Sequence, residues 1–152
     1  MPVLNPVKSK LTEESINIWV QQLDHQWKAL VQEGSSHPGD FIKKKKLHII
    51  GKNITEIRPL QLCTEVRELI LSNNQIIDLK PLSGMLFLKK LYLVKNPVSD
   101  LTPLANHQYL QQLNINRTKV HDLTPLANLP RLKELEMEET EVNDYSMLQQ
   151  CQ

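Results

Sequence analysis

Leu88-Lys89-Lys90-Leu91-Tyr92-Leu93-Val94-Lys95-Asn96 decides the fold of this 152-residue chain. Around Leu91-Tyr92-Leu93 apolar and outward residues alternate, a period of two that reads as a short strand with one buried face. Asn96 stands where that strand must turn away. Working outward, Leu47, Leu69, Leu91, Leu113 and Leu135 fall 22 residues apart, by subtraction. A second apolar column follows at Ile49, Leu71, Leu93, Ile115 and Met137. A third runs Ile54, Ile76, Val98, Val120 and Val142, and a fourth Ile57, Leu79, Leu101, Leu123 and Tyr145. Pro-Leu steps close each unit at Leu60, Leu82, Leu104 and Leu126, with Met147-Leu148 in the last.

One strand of this length cannot bury its apolar side alone. Stacked in register, such strands make a parallel sheet over a continuous core. The amides of Asn74 and Asn96 can satisfy backbone groups left unpaired where the strands turn. Thr118 and Thr140 stand there in the later units, with fewer bonds to offer, and Lys52-Asn53 makes the first unit irregular. Asp78, Asp100, Asp122 and Asp144, with Glu56 in the first unit, read as turn and cap residues rather than catalytic acids. Thr102-Pro103 and Thr124-Pro125 read as an N-cap followed by proline at the first helical position.

Leu88 through Asn96 fits the pattern L-x-x-L-x-L-x-x-N, and Val98-Ser99-Asp100-Leu101-Thr102-Pro103-Leu104 continues it. The chain thereby resembles leucine-rich repeat proteins of the 22-residue class, the class of the internalins and of the leucine-rich regulator of protein phosphatase 1. The resemblance covers roughly two thirds of the chain. It implies an α/β solenoid: a curved parallel sheet with a short 3₁₀ or helical convex side. Residues 44–152 make five repeats, and 1–43 an N-terminal helical cap. It further implies binding of a partner protein through the concave face, with a cytosolic phosphatase-regulator-like subunit and a self-associating structural repeat as rival readings.

Residues 1–43 lack the repeat. Ile16, Trp19, Val20, Leu23, Trp27, Leu30 and Val31 recur at helical spacing, so one amphipathic helix is expected from Leu11 to Gln32. Thr12 is its expected N-cap, with Glu13 and Glu14 in the first turn. Gly34 through Gly39 reads as a loop. The helix is expected to cover the open edge of the first repeat. Its acidic polar face argues against a membrane surface.

Residues flanking the leucines of each strand point away from the core. They form columns: Lys46, Glu68, Lys90, Gln112, Glu134; then His48, Ile70, Tyr92, Asn114, Glu136; then Ile50, Ser72, Val94, Asn116, Glu138; then Gly51, Asn73, Lys95, Arg117, Glu139. Ile70, Tyr92 and Val94 put apolar surface together on this face, the composition of a binding centre with polar surroundings. Lys90, Lys95, Asn114, Asn116, Arg117, Glu136 and Glu138 complete the expected partner-binding set. The glutamates from Glu134 to Glu141 have no evident structural motive, since like neighbours repel; Lys95 and Arg117 are the nearest counterweights. They read as a protected edge, as a docking patch for a basic partner, or as a stretch resembling the C-terminal signals of type IV-secreted effectors.

Formal net charge is +1, so nothing global recruits nucleic acid. Lys43 to Lys46 lack interleaved aromatics and make no nucleic-acid site. No apolar run reaches the length of a membrane span, and Met1-Pro2-Val3-Leu4-Asn5-Pro6 is no secretory signal, so a cytoplasmic protein is expected, with export to a host cell only by a non-conventional route. The free chain is expected to be monomeric. Cys63 shares a column with Met85, and Leu129 and Cys151 continue it; both cysteines read as core fillers rather than nucleophiles or metal ligands. His107 breaks that column and is expected to turn outward or to mark a local kink; His121 is expected on an exposed turn. With four glycines and no catalytic spacing, neither an enzyme nor a cofactor or metal site is expected.

Overall fold

The computed structural model describes residues 11–150. Cys151 lies outside them. The chain opens with three helices, α1 (Glu13–Gln22), α2 (His25–Gln32) and α3 (Pro38–Ile42). Thr12 caps α1 as expected, its hydroxyl accepting the Ser15 N–H at 3.2 Å while Ser15 Oγ accepts the Thr12 N–H at 2.9 Å. The single helix expected from Leu11 to Gln32 is instead broken at Leu23, whose backbone is extended. Asp24 then caps a new helix by accepting the Trp27 N–H at 2.9 Å. The break leaves Leu23 and Trp27 both buried, so the apolar spacing runs through it undisturbed. The loop expected over Gly34–Gly39 is also shortened. His37 Nδ1 accepts the Gly39 N–H at 3.0 Å, and Pro38 starts α3 with its φ already set.

Five strands follow: β1 (Lys46–His48), β2 (Glu68–Ile70), β3 (Lys90–Tyr92), β4 (Gln112–Asn114) and β5 (Glu134–Glu136). They form one parallel sheet in sequence order. Each leucine pairs with the leucine of the next unit, from Leu47↔Leu69 through Leu113↔Leu135. The return legs are 3₁₀ turns at Arg58–Leu62, Lys80–Leu82, Thr102–Leu104, Thr124–Leu126 and Ser146–Gln150. Thr102 and Thr124 are not the caps the sequence suggested. They are the first residues inside their turns and proline comes second. The aspartates take the cap's place: Asp78, Asp100, Asp122 and Asp144 each accept, at 2.9 Å, the N–H of the residue two places on. The Thr102, Thr124 and Ser146 hydroxyls and amides hold the Asp100, Asp122 and Asp144 carboxyls below the usual carboxylate range.

One apolar core runs from the helices to the last repeat, and the cap is stitched to it. Trp19 Nε1 donates to the Pro59 carbonyl at 3.0 Å and Trp27 Nε1 to the Glu56 carbonyl at 2.9 Å. Inside the turns, Asn74 Nδ2 donates to the Ile49 and Leu71 carbonyls at 2.7 and 2.8 Å, and its Oδ1 accepts from Lys52 and Ile54. Asn96 repeats this one rung on, with Leu71 O, Leu93 O and the Ile76 N–H. Thr118 and Thr140 reach only a carbonyl of their own repeat, Ile115 and Met137, each at 2.8 Å. Each unit also carries a left-handed residue after its strand: Gly51, Asn73, Lys95, Arg117 and Glu139 have φ between 56° and 64°. Two column expectations fail. His107 is fully buried rather than outward, its Nε2 lying 3.0 Å from the Leu82 carbonyl. Tyr145 is 52% exposed and does not continue the core column it shares with Leu123.

Candidate functional site

Register places the outward columns of the sheet side by side. Ile70 pairs with Tyr92 and Tyr92 with Asn114, and Ile70, Tyr92 and Val94 are all half-buried. Tyr92 is pinned, its hydroxyl donating to Gln112 Oε1 at 3.0 Å. Ile50, in the same column as Val94, is 49% exposed and extends the apolar surface toward β1. Beside this centre, His48 Nε2 lies 2.8 Å from Glu68 Oε1. That hydrogen bond, with Lys46 and Lys90 nearby, holds the Glu68 carboxyl below its ordinary value. Ile70 and Tyr92 stand on strands paired on both sides, which gives these side chains little freedom, so the surface is already formed before any partner arrives.

The acidic strand has an internal motive that the sequence reading denied it. Gln112 Nε2 donates to Glu134 at 2.9 Å, and Asn114 Nδ2 to Glu136 at 3.0 Å. Asn116 also reaches Glu136, at 3.3 Å, and its Oδ1 accepts the Glu138 N–H at 2.7 Å. Arg117, not Lys95, closes the ion pair with Glu139, at 2.8 Å. The amides of one rung thus satisfy the carboxylates of the next. Asn114, Asn116 and Glu136 are therefore held by one another and Arg117 by Glu139, while Glu138 presents its side chain to solvent. A shallow groove of about 400 Å³ lies beside them, where Thr118 follows Asn96, lined by Lys95, Arg117, Lys119 and Glu139.

A second exposed group was missed. Phe87 and Tyr109 pack as a tilted pair with ring centroids 5.8 Å apart, and the Arg131 guanidinium lies 4.5 Å from the Tyr109 centroid. Leu86 and Phe87 are 46% and 53% exposed, more than any residue at the centre of the concave face. Their signal was in the sequence, since Phe87, Tyr109 and Arg131 are 22 residues apart. Columns traced only through the strands pass them by.

Cys63 and His107 both lie in the core. Burial pushes the Cys63 thiol up to about 12, which removes the thiolate. Burial likewise lowers the His107 pKa, against the opposing pull of the Leu82 and Leu104 carbonyls. No group of three or more potential metal ligands gathers among these residues, and no helix among them is long and apolar enough to cross a membrane.

The sequence profile of the family described as leucine-rich repeats in two copies matches residues 64–106. No curated protein matches the chain. Among solved structures, internalin C2 of Listeria monocytogenes is 38% identical over 68% of this chain and 46% of its own, with a TM-score of 0.67. Another internalin of that organism superposes over 90% of this chain and 48% of its own, at 24% identity and a TM-score of 0.70. A leucine-rich repeat protein of Leptospira interrogans gives 22% identity and a TM-score of 0.59, over 66% of this chain and 28% of its own. The last two likenesses speak to fold alone. The chain spans about half the length of the two internalins. Five registered 22-residue units, their asparagine ladder and these matches lead to one assignment: the chain is a leucine-rich repeat protein of the internalin-like kind.

Proposed function

We propose that the concave face of this chain binds a partner protein, with Tyr92, Ile70 and Val94 as anchors and the charged columns setting orientation and on-rate. The fold is that of a protein-interaction module. The observation that carries the finer reading is a contiguous, half-buried apolar patch in register on a rigid sheet, centred on a tyrosine whose hydroxyl is already fixed. Such a patch desolvates at small entropic cost, which suits occlusion of a partner enzyme's active site. A pull-down with wild type and the Tyr92→Ala, Ile70→Ala double variant tests it. A partner retained by the first and lost by the folded second is the expected result. Equal capture by both would remove this face from the binding surface.

We further propose a cytoplasmic working compartment, reached in a host cell by type IV export. The exposed Glu138 and Glu141 support that reading. A translocation reporter fused to the chain is expected to lose delivery in a Glu138→Gln, Glu141→Gln variant that still folds; delivery unchanged would refute it.

A further inference from the structure

The entry edge of the sheet, where each chain segment rises into its strand, carries a feature that the concave-face reading does not use. Leu88 and Leu110 are fully buried, so the residues on either side of them turn outward. On one side stand Phe87 and Tyr109, with Arg131 stacked on the tyrosine. On the other stand Lys45, Arg67, Lys89, Gln111 and Lys133. Their backbones form a ladder in register, each N–H bonding the carbonyl one rung back: Arg67 to Lys45 at 2.7 Å, Lys89 to Arg67 at 2.8 Å, Lys133 to Gln111 at 2.9 Å. Neighbouring rungs of a parallel sheet lie about 4.8 Å apart. Like charges held at that spacing repel. None of the four ion pairs among the described residues involves Lys45, Arg67, Lys89, Arg131 or Lys133. Only Glu65, in the Phe87 column, offers an opposing charge on these two columns. The basic column closes no ion pair, and Leu86, Phe87 and Tyr109 leave apolar surface in water.

We infer that this edge is a second docking surface, for an extended acidic segment of a partner protein carrying an aromatic or aliphatic anchor. The cations supply complementarity to carboxylates, and the paired rings supply the apolar seat. Two other occupants fit less well. Nucleobases need an open ring face. Tyr109 already carries the Arg131 guanidinium over its ring, and Phe87 is tilted 35° to it, so the pair offers no run of parallel open faces on which successive bases could stack. A second copy would have to offer its acidic strand, where Glu134 and Glu136 are held by the amides of β4 and Glu139 by Arg117, which leaves it Glu138 and Glu141 alone to set against five cations.

The test is selection from a display library of random extended peptides against the folded chain, with counter-selection on a Phe87→Ala, Tyr109→Ala variant. These side chains are exposed, so the variant is expected to melt as wild type does. Enriched peptides are expected to be net acidic with an aromatic or large aliphatic residue. Their affinity is expected to fall about tenfold in the variant and in Lys89→Glu, to weaken with salt, and to be unchanged by Tyr92→Ala. That last arm separates this site from the concave face. Absence of enrichment, enrichment of neutral or basic peptides, or acidic peptides that bind the double variant equally would each overturn the inference. Tighter binding of an oligothymidine would overturn it in favour of nucleic acid. A dimer in sedimentation that Phe87→Ala dissociates would overturn it in favour of a second copy.

Discussion

Replacing Asn96 by alanine tests the reasoning on which the whole solenoid rests. Asn96 is 2% exposed, and its side chain serves three well-formed bonds: to Leu71 O at 2.9 Å, to Leu93 O at 3.0 Å, and from the Ile76 N–H at 3.1 Å. Their loss is unequal. Leu71 O keeps a second donor, Asn74 Nδ2 at 2.8 Å. Leu93 O and the Ile76 N–H lose their side-chain partner, at buried positions. Each orphaned buried group costs about 1–3 kcal/mol, so the variant is expected to lose about 2–6 kcal/mol in all. Thr118→Ala removes one bond, to Ile115 O, and is expected to lose about 1 kcal/mol. Urea unfolding measures both. Tryptophan fluorescence reports the cap, which holds Trp19 and Trp27, while far-UV circular dichroism reports the repeats as well. Coincident transitions would license a two-state free energy; divergent ones would show the solenoid splitting at the damaged rung. A loss below about 1 kcal/mol for Asn96→Ala, or one no larger than for Thr118→Ala, would refute the ladder argument.

His107 folds with its pKa lowered from 6.5 by burial, so the native state resists the proton that the unfolded chain accepts. Its contribution is fully present above about pH 6.5 and is lost as pH falls below that value; His107→Leu is expected to flatten the stability profile there, and an unchanged slope would refute the assignment. Lys95 holds φ at 56°, so Lys95→Gly is expected to raise stability by about 0.5–1 kcal/mol in urea unfolding, and any loss would count against strain at that turn. The buried Cys63 thiol, with its pKa near 12, is expected to resist alkylation in native protein and react at once in urea. Rapid native labelling would contradict its place in the core.

Reading the columns at 22-residue spacing recovers the sheet because the apolar columns are redundant: a lapse in one unit is corrected by four others. The cap has no such redundancy. Leu23 and Trp27 keep a helical phase across the break, so spacing cannot reveal that Asp24 begins a new helix. His107 misleads for a different reason. A polar type in an apolar column reads as outward, yet one ring nitrogen meets the Leu82 carbonyl of the preceding unit. The acidic strand was misread by comparing glutamates only with each other. Subtracting 22 from Glu134 and Glu136 gives Gln112 and Asn114, the amides that hold them. On the concave face, burial and pairing are now explicit, while the edge rings lay outside the columns that strand periodicity selects.

A translational repeat turns every property of this molecule into a ladder, and the ladders are not all the same length. The asparagine ladder runs through Asn74 and Asn96, tying the first three repeats by bonds that cross between rungs. From Thr118 onward the turn bonds stay within one repeat. The proposed apolar anchors Ile70, Tyr92 and Val94 stand on the two strands that those asparagines terminate. The glutamates stand on β5, two rungs beyond, where outward side-chain bonds from Gln112, Asn114 and Arg117 replace the missing inner ones. An apolar anchor gains most from a scaffold that does not yield, because each loosened rung would add an ordering cost on docking. A charged rim tolerates movement, since its pull acts at longer range. The placement of tyrosine over the rigid rungs and carboxylates over the looser ones is therefore what a recognition surface with a fixed centre and an adjustable rim requires.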